Sequence, residues 1–195
     1  MTTKELLEIL GVASKLKTTY RHCFTAPERR ESVAEHSWRV ALWAMLLSSE
    51  PEFHDVDMMK VIRMALIHDL GEAFTGDIPS FNKGESEVDK EKELFLDWVQ
   101  GFSEPTKSEW LKLLKEMERQ ETKEARLYMA LDKMEAVLSH DESDINSWLP
   151  LEYDLQMLYG WEHVKHSETL IKIRKALDVM TQKKIENAKS AEKTV

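Results

Sequence analysis

The chain has 195 residues, 42% of them hydrophobic, and its formal net charge at pH 7 is -9. This length suits one well-filled hydrophobic core, and the negative charge argues against a protein that binds nucleic-acid polymers. Cys23 is the single cysteine of the sequence, which excludes an intrachain disulfide and fits a reducing compartment.

The sequence predicts one domain over residues 1–195, with a core from about residue 5 to 180 and a charged tail from about 186 to 195. The first residues lack a basic, apolar signal segment, and no uninterrupted apolar stretch is long enough to span a bilayer. We therefore expect a cytoplasmic protein that binds a small molecule, and neither a membrane nor a nucleic acid.

Apolar residues recur at helical spacing along most of the chain, and no two strands joined by a hairpin turn are predicted. The first helix is expected from about Thr3 to Lys17, followed by a loop from Arg21 to Arg30. The predicted core face of this helix consists of Leu6, Ile9, Leu10, Ala13 and Leu16. Further helices are expected at about residues 33–49, 58–67, 87–100, 104–120, 122–140 and 167–189, with polar loops at 81–87 and 141–146. The predicted fold class is all-α, a compact helical bundle.

The dipeptide His68-Asp69 follows an apolar helical run and precedes Gly71, a residue type that commonly ends helices. Neighbouring side chains on a helix point about 100° apart, so such a pair converges on one ion only near a helix end. A metal there would take an imidazole nitrogen and a carboxylate oxygen, and it would need at least two more protein ligands.

Two polar residues lie where the helical pattern asks for apolar ones. His36 is on the apolar face of its helix, and Ser32 with Glu35 forms a predicted capping box that puts His36 in the first turn. The positive end of the helix dipole disfavours imidazolium there and leaves a neutral nitrogen available. Asp132 lies beside an apolar stripe, and an inward-facing aspartate needs a partner.

Each residue has an ordinary interpretation as well. A single histidine on an apolar face is more often a hydrogen-bonded core residue, an aspartate on a charged helix is usually solvated, and a His-Asp dipeptide occurs by chance in many chains. The metal-site hypothesis depends on the joint occurrence of these residues. Three helical segments each offer a ligand type, and an acidic segment with Glu72 and Asp77 comes directly after His68-Asp69.

Four segments in this order carry a resemblance to a known family. They are Glu31–Ser37 (ESVAEHS), Ala65–Glu72 (ALIHDLGE), Thr75–Pro79 (TGDIP) and Ala130–Lys133 (ALDK). They resemble the motifs of the HD-domain phosphohydrolases, and within them most closely the YfbR-like 5'-deoxynucleotidase branch, whose chains are short, single-domain and all-helical. The resemblance extends over roughly residues 5 to 180.

The resemblance implies a metal site and an assembly. His36, His68, Asp69 and Asp132 match the metal ligands of the family, so one divalent ion such as Mn²⁺, Co²⁺ or Mg²⁺ is the implied cofactor. Such an ion lowers the pKa of a water, so that water rather than a side chain is the nucleophile. Dimers are usual in the family, which implies a homodimer.

The resemblance also implies roles for four residues around the metal. Glu72 matches the catalytic acidic residue next to the metal water, and Asp77 matches a carboxylate near the substrate sugar and the attacking water. Arg21 matches a phosphate-binding arginine. His22 stands where the bacterial family member has a tryptophan near the nucleoside, so base and sugar preference does not transfer. Without the motif, Glu72 and Arg21 are ordinary surface charges and Asp77 is a turn residue.

The expected function is therefore removal of the 5'-phosphate from a (deoxy)nucleoside monophosphate. A nucleoside triphosphate hydrolase that releases triphosphate is the alternative with the same metal site, and it would need further basic residues, for which Lys83 and Lys90 are the nearest candidates. A helical adaptor that keeps metal without catalysis is the alternative of another class. The acid at Glu72 argues against it, because a structural site needs no adjacent free acid.

The other histidines and the late aromatic residues are weaker candidates. Four histidines are expected to face solvent: His54, His140, His163 and His166. Three aromatic residues before the last helix are expected to pack in the core or an interface, with a substrate pocket as the alternative: Trp148, Tyr159 and Trp161.

Overall fold

The computed structural model describes residues 1–79, 81–82 and 84–192, so Lys83 lies outside the described residues. The chain is mostly helical, which confirms the predicted fold class. The helices are α1 (Thr3–Lys15), α2 (Val33–Leu47), α3 (Met58–Ile67), α4 (Glu72–Thr75), α5 (Glu85–Gln100), α6 (Thr106–Arg119), α7 (Lys123–Glu142), α8 (Glu152–Leu158), α9 (Trp161–Val164) and α10 (Glu168–Glu192). The strands are β1 (Tyr20–Ala26) and β2 (Arg29–Ser32). Short 3₁₀ turns lie at Pro51–Phe53 and Ile145–Ser147.

Helices α2, α3 and α7 pack against one another at the centre of the fold. Their inward faces are fully buried, as Val40 on α2, Met64 on α3 and Leu131 on α7 illustrate. Burial of such side chains stabilises the fold by about 1.5–3 kcal/mol each. The helix crossing brings the three motif-bearing segments of the sequence to one place.

The start of α2 has the capping box that the sequence predicts. The Ser32 hydroxyl accepts a hydrogen bond from the Glu35 backbone at 3.2 Å, and the Glu35 carboxylate accepts one from the Ser32 backbone at 2.9 Å. These contacts satisfy two backbone groups that a helix start otherwise leaves unpaired. His36 therefore lies in the first turn of α2, where it is fully buried.

A β-hairpin replaces the loop that the sequence predicts between Arg21 and Arg30, so the expectation that no hairpin occurs is wrong. Strands β1 and β2 pair antiparallel, with two irregularities of register. The turn contains Pro27 and Glu28, and Glu28 adopts a positive φ of 62° that is usually left to glycine or asparagine. The pair Pro-Glu is a weak hairpin signal, and the bulged register removes the strict alternation that predicts a strand.

Two other expectations fail at the ends of helices. Helix α7 continues to Glu142, and Asp141, placed in a surface turn by the sequence, is buried and accepts a hydrogen bond from the Thr181 hydroxyl at 2.9 Å. Leu6 and Leu10 on α1 belong to the predicted core face, but they are 43% and 55% exposed. Helix α1 therefore packs on the core through Ile9, which is its buried residue.

Helices α5 and α6 meet through aromatic side chains. The Phe102 ring lies 4.8 Å from the Trp98 ring and 5.4 Å from the Trp110 ring, in edge-to-face contacts. Phe95 stacks on Trp98 at 6.0 Å. Such pairs contribute about 0.5–1.5 kcal/mol each beyond the area they bury. No described helix combines the length and the apolar composition that a bilayer crossing needs.

Candidate metal centre

The four residues that the sequence predicts as metal ligands meet where α2, α3 and α7 cross. His36 Nε2 lies 3.1 Å from His68 Nε2, 3.0 Å from Asp132 Oδ1 and 3.6 Å from Asp69 Oδ2. His68 Nε2 lies 2.9 Å from Asp69 Oδ2 and 3.6 Å from Asp132 Oδ1. Two imidazole nitrogens and two carboxylate oxygens from three distant stretches of the chain thus face one point.

The end of α3 explains how two adjacent residues share this point. The helix ends at Ile67, and His68 and Asp69 lie in the turn that leaves it. His68 keeps helical backbone angles, so the convergence of the pair depends on its place at the end of the helix. Gly71 lets α5 approach this turn closely. A Cβ atom on Gly71 would lie 2.9 Å from Glu91 Cγ and 3.4 Å from the backbone oxygen of the same residue.

The outer nitrogens of both histidines are held by acceptors. His36 Nδ1 donates a hydrogen bond to Glu135 Oε2, and His68 Nδ1 donates to the Ala65 carbonyl oxygen at 2.8 Å. Because a carboxylate and a carbonyl only accept, both Nδ1 atoms carry hydrogen, and Nε2 is the nitrogen of each ring that faces the carboxylates of Asp69 and Asp132. Arg39 Nε in turn donates to Glu135 Oε1 at 2.6 Å. A carboxylate behind a ligating histidine is a common support of metal sites.

Glu135 is a residue of the site that the sequence analysis missed. Its side chain is fully buried, and burial alone would raise its pKa, but His36, Arg21 and Arg39 lower it below the usual range. The signal for it was present in the sequence, since Glu135 lies three residues after Asp132 and therefore on the same face of α7.

The arrangement fits a divalent cation. A metal bound at about 2.1 Å holds neighbouring donor atoms about 3.0 to 3.5 Å apart. The two Nε2 atoms lie 2.9 to 3.6 Å from each other and from the nearest oxygens of Asp69 and Asp132. The two Nε2 atoms lie 3.1 Å apart, which is within this range. The donor atoms of His36, His68 and Asp69 all lie within 4.8 Å of one another, and Asp132 adjoins this group through its contacts with the two histidines.

The charges of the site also favour a cation. Burial opposes ionisation of Asp69, but His68 lowers its pKa to about 2. Burial likewise opposes ionisation of Asp132, but Lys133 and the two histidines hold its pKa well below the usual range. Both carboxylates are therefore charged at neutral pH, which is the form that binds metal.

A cavity of about 230 Å³ opens beside the four donor groups and contains the other predicted residues. Arg21, His22, Glu72 and Asp77 all line it, together with Asp69 and Asp132. Arg21 Nε lies 3.1 Å from the buried Glu31 carboxylate, which fixes the guanidinium. Glu72 is 5% exposed, so it belongs to the cavity wall and is no surface charge.

The far wall of the cavity was not predicted. His140 lines it and is 8% exposed, so the expectation that it faces solvent is wrong. His140 Nδ1 lies 3.2 Å from Cys23 Sγ, and His140 Nε2 lies 3.3 Å from Glu152 Oε1. His22 Nε2 lies 3.2 Å from the same Glu152 oxygen. The register of the hairpin brings His22 and Cys23 here, which helical periodicity has no means to predict.

Two more residues of the wall come from α7 and the end of α8. Lys133 Nζ lies 3.0 Å from Asp132 Oδ2, and Asp132 raises the pKa of the Lys133 ammonium. Tyr159, for which the sequence left a pocket position as the alternative, lines the cavity 5.6 Å from the same ammonium.

Comparisons with known proteins identify the family of the chain. A family model described as HD domain matches residues 13–174. The chain is 34% identical over 140 residues to "5'-deoxynucleotidase HDDC2" of Dictyostelium discoideum, which covers 68% of this chain and 74% of the relative. A "dATP triphosphohydrolase" of Salmonella phage PMBT28 is 46% identical over 57 residues, which cover 26% of this chain and 29% of the relative. The crystal structure of a "Predicted metal-dependent phosphohydrolase" from Magnetospirillum magnetotacticum superposes with a TM-score of 0.77 and 27% identity over 93% of both chains.

Proposed function

This chain belongs to the HD domain family, and we propose that it is a metal-dependent phosphohydrolase that removes the 5'-phosphate from deoxynucleoside monophosphates. The observation that carries the proposal is the convergence of His36, His68, Asp69 and Asp132 beside an open cavity. In this proposal those four side chains hold one divalent ion. The name of the Dictyostelium relative supports the substrate class.

The side chains of the centre hold the ion and leave room for the reaction. When bound, the ion supplies positive charge to a phosphoryl oxygen and lowers the pKa of a water to near neutrality. Glu135 orients His36 through its Nδ1 atom, and the Ala65 carbonyl does the same for His68. Only Asp69 and Asp132 of the four contact the cavity, so substrate and water approach from that side.

Three other cavity residues have separate roles in binding and hydrolysing the phosphate ester. Arg21, held in place by Glu31, binds the phosphate and offsets the charge that grows on its oxygens. Glu72 is buried in the wall next to the ligand pair and transfers a proton between the attacking water and the leaving 5'-oxygen. Asp77 lines the same cavity and accepts hydrogen bonds from the sugar.

The charges of the cavity favour a single phosphate. Arg21 and Lys133 are the lysine and arginine side chains among the described residues that line it, against five carboxylates. Because the carboxylates outnumber these cations, the additional phosphates of a triphosphate would meet more repulsion in the cavity than a single phosphate does. Lys90, the described candidate for holding a longer polyanion, is exposed on α5 and does not line the cavity.

The alternatives rest on narrower observations. The short match to the phage dATP triphosphohydrolase favours the triphosphohydrolase. A metal-binding adaptor would not need the buried acid at Glu72 or the cavity. We also propose a cytoplasmic location and a homodimer, and exposed apolar residues such as Leu7, Leu10 and Trp38, at 64%, 55% and 60%, support an interface. Sedimentation analysis tests the dimer.

A substrate panel tests the proposed function. Purified protein, stripped of metal and returned to Mn²⁺, Co²⁺ or Mg²⁺, should release inorganic phosphate from deoxynucleoside monophosphates. Asp69→Ala is the matched control, since it should lose both metal binding and turnover. Release of triphosphate from dNTPs with monophosphates untouched would favour the triphosphohydrolase, and no turnover with any metal or nucleotide would favour the adaptor.

A further inference from the structure

We infer that Lys133 is a second phosphate-binding residue, which together with Arg21 and the metal binds the three non-bridging oxygens of the substrate phosphate. The inference rests on the proposed function, because it assumes a phosphate monoester in the cavity. Lys133 follows the ligand Asp132 on α7 and lines the cavity.

The position of the ammonium carries the argument. Lys133 Nζ lies 3.0 Å from Asp132 Oδ2, while the other oxygen of the same carboxylate lies 3.0 Å from His36 Nε2. The ammonium and the ligand cluster therefore contact opposite oxygens of one carboxylate. Lys133, Asp69 and Asp132 line the same cavity, so a phosphate bound there can contact the ammonium as well as the ligand cluster.

The side chain of Lys133 is held in this position by the end of α8. Gly160 has a positive φ of 76° and packs directly on the lysine, since a Cβ atom there would lie 2.6 Å from Lys133 Cβ. The ring of Tyr159 lies 5.6 Å from Lys133 Nζ. Only a residue without a side chain allows so close a contact in this backbone conformation. Fixing a lysine side chain costs conformational entropy, and a lysine that only neutralised a nearby charge would not need to be fixed.

The hydrogen-bonding capacity of the ammonium is not used up by these contacts. An ammonium has three N–H donors. Asp132 accepts from one, and Tyr159 is a second partner, which leaves a donor for a ligand. The side chain remains 27% exposed, and this exposure is toward the cavity that it lines. A phosphate dianion provides the acceptor oxygens that such donors bind most strongly.

Arg21 and Lys133 approach the cavity from different elements, β1 and α7. Arg21 already pairs with the buried Glu31, and Lys133 with Asp132. Each cation is thus fixed by one carboxylate and directed to the same space. This arrangement matches a phosphate monoester, whose three terminal oxygens point in three directions.

The test compares Lys133→Gln and Lys133→Arg with Lys112→Gln, which removes an exposed lysine on α6 outside the cavity. For the Mn²⁺-loaded proteins, we would measure kcat and KM for a deoxynucleoside monophosphate, the inhibition constant of inorganic phosphate, and the dissociation constant of Mn²⁺. Lys133→Gln should raise KM and the inhibition constant about 10- to 100-fold, the usual loss for a hydrogen bond to a charged group. Lys133→Arg should restore most of both, and Lys112→Gln should change neither.

The Mn²⁺ affinity separates this role from a structural one. Removing a cation next to Asp132 leaves Mn²⁺ binding unchanged or tighter if Lys133 serves the phosphate. A fall in Mn²⁺ affinity, with normal phosphate inhibition at saturating Mn²⁺, would overturn the inference, because Lys133 would then only organise Asp132. Thermal unfolding of each variant checks the fold, and Lys133→Met, which keeps the apolar stem of the side chain, repeats the test if the glutamine variant unfolds.

The proposed function can fail separately. If the wild-type protein binds inorganic phosphate but hydrolyses no nucleotide, the nucleotidase proposal fails, while the effect of Lys133→Gln on phosphate binding still decides the inference. If the Mn²⁺-loaded wild-type protein binds no phosphate, the inference is overturned as well.

Discussion

The crossing of α2, α3 and α7 and the contact between α5 and α6 are both buried, but opposite kinds of side chain fill them. At the crossing, His36 and Glu135 are fully buried among other charged groups. Between α5 and α6, Phe102 packs edge to face on Trp98 and Trp110. Burying charge costs folding free energy unless a partner compensates it, whereas burying aromatic rings stabilises the fold unconditionally. The comparison separates the part of the molecule built for chemistry from a part built for stability.

The largest expected effect is a loss of catalytic rate in a variant whose two regions both stay folded. Glu72→Ala should keep its metal and lower kcat about 10²- to 10⁴-fold, because it removes a proton-transfer group that no predicted ligand replaces. Metal content by elemental analysis and kcat for a deoxynucleoside monophosphate check this. Equal activity of the variant and the wild type would refute the role of Glu72 as an acid.

The next prediction concerns a substitution in the aromatic contact, which should lower stability without changing the metal site. Phe102→Ala should lower the free energy of unfolding by about 3–5 kcal/mol, since it leaves a cavity between Trp98 and Trp110. Urea denaturation measures the change, and Leu94→Ala, at a 37% exposed position on α5, is the control. Under conditions where the variant is folded, its Mn²⁺ affinity should equal that of the wild type, and a large loss would mean that the two regions are coupled.

A smaller effect tests how the polar crossing supports its ligands. Glu135→Gln should weaken Mn²⁺ binding about 10- to 100-fold, because the carboxylate behind His36 is replaced by a neutral amide. Glu142→Gln is the matched control. It removes another carboxylate partner of Arg39, at 2.5 Å, and Glu142 makes no contact with His36 and is half-exposed. If both variants weaken Mn²⁺ binding equally, Arg39 rather than Glu135 supports the site.

The sequence predicted the helices that carry the metal-site motifs, but it did not predict the hairpin or the far wall of the cavity. The motif-bearing helices followed from apolar periodicity and caps, so the convergence of His36 with His68 was expected. The hairpin was missed because Pro27 and Glu28 form a turn without glycine. His140 and Glu152 were missed because their burial depends on contacts with β1, which are long-range in sequence. Periodicity reports what a helix does locally, and the far wall of the cavity is made by packing between distant segments.

The smallest expected effect concerns a buried carboxylate outside both regions. Burial raises the pKa of Asp141 to about 6 from its usual 3.8, although the Thr181 hydroxyl opposes this. Because the folded-state pKa lies above the unfolded one, the folded protein binds the proton more tightly, and stability falls as pH rises from about 4 to about 6.

Asp141→Asn removes this charge, so it should raise the free energy of unfolding by about 1–2 kcal/mol at pH 8 and by little at pH 4. Urea denaturation of the variant and the wild type at both pH values measures the difference. An equal difference at the two pH values would contradict the assignment of this pH dependence to Asp141.

The two-stranded hairpin separates part of the substrate cavity from the helical core that carries the predicted metal ligands. The predicted metal ligands come from α2, α7 and the turn after α3, whereas Arg21 and His22 come from a short ribbon. This ribbon is anchored at the end of α7 by the Ser143 hydroxyl, which bonds the Phe24 backbone at 3.0 and 3.1 Å. A ribbon of this kind has little stability of its own and adapts to its support. We therefore expect substitutions of His22 to change which nucleotide is accepted at less cost to the metal centre than substitutions of the predicted ligands. A histidine at position 22 is the kind of change through which relatives with one chemistry diverge toward different substrates.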